Sequence, residues 1–490
     1  MSNNFVDTAQ DNSASSPGDT NSISQRLFSL DVLRGIALLG ILVISIWEFG
    51  GFSTNEQTRL RLLGKGLDFN LFASALLLFE GKMRALFSLV FGAGIVLYMQ
   101  KPNQPSLPST QELYIRRQMW LMGFGVINAF LFLWPGDILF QYGVMGILLF
   151  PFFRMSKKGL LIAAIIVTLI YCGKMYWFYA DDHKSYKKFQ AVTLVEEKIK
   201  KDSAAQHKKD SLSGMSKADL KKSDSLFKEK NQLNFIQKRD KSNWEGIAKG
   251  LKYDSTKGAE KGEKKAMWGN YKKVWEHLYQ RAQGKEAAWL YRIGIWDIGS
   301  MMLLGMALLG FGFFSNRFSS GTYILLAVIG IAAGIFLGWL RLDLQHAKHV
   351  DYIKYLSNKA ISPMQFFPFE RLFLAVGYAS LVMLLIRIRF MHWLCYALAA
   401  TGRVAFTNYF LQTILCTLFF YGYGFGYFGR LSQTQLYFFV AELWIIQIVF
   451  SVFWLRFYEY GPIEWLWRCL VYRKRFPNKK VSVNETTSIL

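Results

Sequence analysis

The chain has 490 residues, 52% of them hydrophobic and 17% aromatic, and a formal net charge of +24. A soluble fold of this length does not carry so much apolar surface, and the apolar residues fall in runs of the roughly 17–25 residues that cross a bilayer. Composition therefore excludes a soluble enzyme. The positive charge sits in a Lys-rich insert, short loops and the C-terminal tail; it follows the basic-loop bias of inner-membrane proteins and does not point to nucleic acid.

In chain order, residues 1–29 are rich in Ser, Asn and Asp and read as a disordered cytoplasmic tail, with no basic start or cleavage site. Ten spans are predicted, at about 33–52, 83–100, 113–133, 137–154, 159–179, 291–314, 321–340, 369–388, 402–421 and 434–457. The stretch 67–80 is apolar but short, and reads as an interfacial helix or an eleventh crossing. Helices are required because lipid leaves backbone polar groups no outside partner. The expected fold is thus all-α, a polytopic membrane bundle with halves at 30–180 and 290–470.

Lys101, Arg116 and Arg117, then Arg154, Lys157 and Lys158, then Arg317, Arg387 and Arg389, fall on one side if all ten spans cross. The positive-inside rule makes that side the cytoplasm, with both termini there and 471–490 as a basic cytoplasmic tail. Residues 181–289 then form an extracytoplasmic insert with 26 Lys/Arg against 16 Asp/Glu. It reads mainly as a solvated charged extension, with amphipathic helices such as the one predicted over Ala266 to Arg281.

Polar residues within apolar spans are the candidates for chemistry. Arg34 stands at the mouth of the first span, where a guanidinium either snorkels or serves a site. Glu48 and Glu442 lie within spans, where a carboxylate must be paired, wetted or used in proton transfer; Arg403 and Gln447 are the expected partners of Glu442. Asp137 follows Trp134-Pro135-Gly136 at an outward turn and is read as a helix cap or a general base. Arg403 and Asn408 are candidates for substrate contact or a structural polar network. His346 and His349 have a helical spacing but no further ligand, so no metal is assigned. Cys172, Cys395, Cys416 and Cys469 suggest neither disulfides nor zinc. Gly330, Gly334 and Gly338 predict a close helix contact.

Several segments carry a resemblance. Leu30 to Ala37 (LDVLRGIA) resembles the opening of membrane-bound acyltransferases. Glu80 to Gly94 (EGKMRALFSLVFGAG), Trp134 to Leu139 (WPGDIL), Asp297 to Leu308, Gly402 to Tyr409 (GRVAFTNY) and Gly461 to Arg468 (GPIEWLWR) resemble, in order, the YeiB-like proteins, domain-of-unknown-function family 418. That resemblance implies a polytopic bacterial inner-membrane protein, once described as transport-related and grouped by fold with transmembrane acyltransferases. Related acyltransferases place a His eleven residues after the first-helix Arg, about 16 Å along the helix. Here that position is Ser45, where YeiB-like proteins usually have Asn. The family often has His nine residues before Asp137; this chain has Asn128.

The resulting expectation is an acyltransferase-like protein with acyl-CoA as donor substrate, an extracytoplasmic glycan or lipid as acceptor, and no cofactor. Arg34, Arg116 and Arg117 would hold the donor's phosphates, and Asp137 with Glu48 or Glu442 would move protons. The alternatives are a transporter of a small solute or lipid, with buried Glu as proton-coupling groups, or a non-enzymatic membrane protein working through its insert.

Overall fold

The structure, a computed structural model, describes residues 17–103, 107–253 and 257–480. Among the described residues it is helical, apart from an isolated bridge between Tyr458 and Lys479. The first half contains α1 (Pro17–Phe49), α2 (Thr54–Leu63), α3 (Leu67–Leu78), α4 (Lys82–Met99), α5 (Thr110–Phe130) and α6 (Leu139–Leu149). α7 (Lys157–Leu212) leaves the bundle and leads to α8 (Lys217–Lys230), α9 (Phe235–Leu251), α10 (Gly258–Met267) and α11 (Tyr271–Gln283). A π-helical segment, Gly284–Gly294, joins α11 to α12 (Ile295–Phe311). The second half continues with α13 (Ser320–Val350), α14 (Tyr352–Asn358), α15 (Phe367–Arg387), α16 (His392–Arg403), α17 (Ala405–Phe420), α18 (Gln433–Phe457) and α19 (Pro462–Tyr472).

Each of the ten predicted spans coincides with a helix. Seven helical stretches are long and apolar enough to cross a bilayer, among them Phe28–Phe49, Ser320–Val350 and Gln433–Phe457. α6 and α17 are shorter apolar helices, and α5 carries Glu112, Arg116 and Arg117 in its first turns. α3 has 12 residues, about 18 Å of helix, too short to cross alone. It runs with α4 as one apolar stretch, Leu67–Met99, interrupted by a turn at Gly81 where φ is +72°. Serines stop fraying at helix starts: Ser109, Ser156, Ser319 and Ser432 each accept a backbone N–H in the first turn of α5, α7, α13 and α18.

Helix crossings are set by missing side chains. A Cβ on Gly92 of α4 would strike the carbonyl of Met302, and one on Gly305 of α12 the carbonyl of Leu89, so these helices touch backbone to backbone. Gly35 and Gly402 do the same where α16 meets the start of α1. The Gly330, Gly334 and Gly338 stripe packs on α15, against Phe373, Leu374, Gly377 and Glu370, which is the close intramolecular contact expected of it.

The insert is more ordered than the solvated extension expected of its charge. α7 is a single helix of 56 residues, and at its exit from the bundle Tyr179 joins Trp244, Leu344, Tyr352, Tyr355 and Leu356 in a small second core. Trp244 stacks on Tyr352 at 5.5 Å between centroids. Aromatics spaced through a basic sequence supply the apolar area that its Lys count conceals.

Candidate functional site

A cavity of about 620 Å³ opens at the end of the bundle that carries the start of α1 and α19. α1 contributes Asp31 and Arg34 to its mouth, α5 contributes Arg117, and α16 contributes Arg403; Lys101, Glu459 and Glu464 complete the rim. Deeper, the wall is apolar and aromatic, with Leu38 and Ile41 of α1, Phe87 and Phe91 of α4, Leu121 of α5 and Phe406 of α17. The inner end is closed by Ile138, Leu139, Tyr142 and Tyr409. The cavity is therefore basic at one end and greasy along its length.

The rim cations are held by different means. Arg34 donates to Asp31 at 2.8 Å. The Arg117 guanidinium lies 3.9 Å from the ring centroid of Trp467 and also faces Tyr98, which leaves its N–H edges free for an oxyanion. Among the described residues no ion pair holds Arg117, Arg403 or Lys101. Glu464 serves the fold instead. Its carboxylate accepts the backbone N–H groups of Phe406, at 2.7 Å, and Thr407, at 3.0 Å, and the Thr407 hydroxyl. It thus caps α17 from α19, a role that favours a carboxylate at the positive end of the helix.

Asp137 is buried beyond the inner end. Its Oδ1 accepts from Asn128 Nδ2 at 2.9 Å and from the Tyr409 hydroxyl at 3.3 Å; Oδ2 accepts the N–H of Phe140 at 3.0 Å. The Tyr409 hydroxyl also accepts the Ile138 N–H at 3.2 Å. Asp137 is thus both a cap of α6 and a carboxylate joined, through Tyr409, to the cavity. Arg117 and Asn128 are eleven residues apart on α5, so the basic rim and the Asp137 cluster are about 16 Å apart along that helix.

The other candidates fall elsewhere. Arg116 is turned to Glu112 at 2.5 Å and does not line the cavity. Glu48, at the far end of α1, pairs with Lys285 at 2.6 Å. Glu442 is exposed on α18, and Gln447, expected as its partner, instead bonds Gln412 and the Asn408 carbonyl. Asn408 is fully buried, donating to Ser451 at 2.8 Å and to the Thr401 carbonyl, so it belongs to a structural network between α16, α17 and α18. Ser45 is absent from the cavity lining. His346 and His349 each direct Nδ1 at a backbone carbonyl, of Arg61 and Gln345.

Two groups escape the sequence reading. The first is an ion-pair network near the insert end of the bundle. Glu370 takes Lys82 and Arg341, the latter at 2.7 Å; Glu80 also takes Arg341, at 2.9 Å; Asp297 takes Arg371, and Arg84 at 2.9 Å. It ties α4, α12, α13 and α15 together. The second is Glu286 on the π-helical segment, buried beside Asp137. Charges at the ends of apolar runs look like topology signals, and only the fold reveals that they converge.

Residues 308–474 match the family model described as a protein of unknown function, DUF418. The chain is 28% identical to the uncharacterized protein YeiB of Escherichia coli, over 92% of this chain and 98% of that protein. It is 28% identical to the uncharacterized protein YxaH of Bacillus subtilis, over 92% of this chain and 95% of that one. No solved structure matches it significantly. Arg403 and Glu464, two of the rim residues, fall inside the matched segment, and the YeiB alignment runs nearly end to end; these similarities support a place for the chain among the YeiB-like DUF418 proteins.

Proposed function

We propose that the protein is an acyltransferase of the bacterial inner membrane, with the basic rim facing the cytoplasm and the insert facing outward. The observation that carries this reading is the continuous cavity linking Arg34, Arg117 and Arg403 to Tyr409 and, through it, Asp137. An acyl-CoA donor fits its polarity: phosphates at the rim cations, and an acyl thioester along Phe87, Phe91 and Leu121. The acceptor nucleophile, on an extracytoplasmic glycan or lipid, attacks the thioester carbonyl. Its C–O or C–N bond forms as the C–S bond breaks, and Asp137 receives the nucleophile's proton and returns it to the thiolate. Asn128 and Tyr409 position the carboxylate, a role that an imidazole would share in relatives with His at the Asn128 position.

Thermal unfolding of the purified protein in detergent, with acetyl-CoA and palmitoyl-CoA, tests this. At a hundredfold excess over Kd, bound donor adds about 2.7 kcal/mol to stability, a shift of a few degrees. Arg34→Ala and Arg403→Ala, which alter half-buried and exposed rim residues, should remove the shift without unfolding the protein. No shift in the wild type, together with solute flux in proteoliposomes, would replace this reading with the transporter.

A further inference from the structure

Around Asp137 the structure collects hydrogen-bond acceptors that have no donor. Glu286 is 7% exposed, and neither carboxylate oxygen has a partner. The Gln141 amide sits one turn after Asp137; its Nε2 reaches the Lys285 carbonyl at 3.5 Å, and its Oε1 is unpartnered. Asn128 gives its Nδ2 to Asp137 and leaves Oδ1 unpartnered. Gln141 is 3% exposed and Asn128 0%. The adjacent lysine, Lys285, is spent on Glu48 at 2.6 Å. Two buried carboxylates and two bare amide oxygens make a site with more acceptors than the Asn128 Nδ2 and Phe140 N–H groups can satisfy.

An unpaired buried carboxylate costs several kcal/mol, and the helix carrying Glu286 is π-helical, a geometry often found at functional sites. A hydroxyl offers one proton and no charge. A primary ammonium offers three N–H donors and a positive charge together. We propose that the buried cluster of Glu286, Gln141, Asn128 and Asp137 binds a primary ammonium group, carried by a lipid headgroup or by a soluble amine. The proposal deepens the acyltransferase reading by naming the acceptor's chemistry, and rests on that reading only for what happens after binding.

Glu286→Gln decides it, because the substitution keeps shape and replaces a carboxyl that can carry charge with a neutral amide. In the absence of amine the variant should unfold at the same temperature as the wild type or higher. Calorimetric titration with ethanolamine in detergent, and thermal unfolding in nanodiscs of phosphatidylethanolamine against phosphatidylglycerol, read the two sources. Saturable ethanolamine binding identifies a soluble amine; stabilisation confined to phosphatidylethanolamine discs identifies a headgroup. Either should weaken at least tenfold in Glu286→Gln and recover in part in Glu286→Asp. Wild type and Glu286→Gln that respond equally to both probes would overturn the proposal. Acyl-CoA stabilisation, measured on the same samples, is unaffected by Glu286→Gln under this scheme, so an amine-blind protein that still binds donor sinks the inference and leaves the donor-side reading standing.

Discussion

Glu370 is where most of the buried charge converges. Its side chain is fully buried and receives both Lys82 and Arg341, while a Cβ on Gly338 would lie 3.0 Å from its Oε1. Removing one member of such a network strands the rest in low dielectric, which typically costs ~3–5 kcal/mol. Glu370→Ala should therefore lower detergent-phase stability by that order, read from thermal or denaturant unfolding. Pairing it with Lys82→Met should recover part of the loss; a single substitution without effect would show the network to be solvated. Asp137 is legible from sequence because a carboxylate after Trp-Pro-Gly at a span's start has few uses. Glu370 is not, because its partners lie 288 and 29 positions away and each, taken alone, resembles a flanking charge. Glu286 is hidden for a related reason: within a charge-rich insert, one more acid carries no signal until the fold buries it.

Among elements, α17 shows how an ordered motif acquires a physical meaning. It begins after the break at Val404 with no capping side chain of its own, and α19 supplies Glu464 to its first backbone N–H groups. Glu464→Ala should cost about 1–2 kcal/mol, the loss of a helix cap, and Glu464→Gln less, measured by thermal unfolding; equal stability of all three proteins would remove the capping role. The span pattern is readable over every crossing helix because runs of apolar residues report burial in lipid directly. The π-helical segment is not. Its composition, Gly284 to Gly294 (GKEAAWLYRIG), is that of an ordinary amphipathic helix, and nothing in it announces the wider winding that joins α11 to α12.

For the whole molecule, the proposed orientation puts the cavity mouth in the cytoplasm and α8 to α11 outside. A β-lactamase or alkaline phosphatase reporter inserted at the exposed turn around Gly214 should be active only if that turn lies outside the cytoplasm. A fluorescent protein joined after Leu490 should be bright. The reverse pattern would invert the donor and acceptor ends. Charge bias alone suggests this arrangement, and it would put the rim of Arg34, Lys101, Arg117 and Arg403 on the side where the proposed phosphorylated donor is made. What the sequence does not convey is how bundle and insert are joined mechanically. α7 is an unbroken helix of 56 residues, about 84 Å long, of which roughly 30 Å suffices to traverse the hydrocarbon. Its embedded part, where Thr168 and Tyr171 are buried, and its protruding part are one rigid lever. A load on the distal end is carried into the bundle along a single helix, more of which lies outside the lipid than within it.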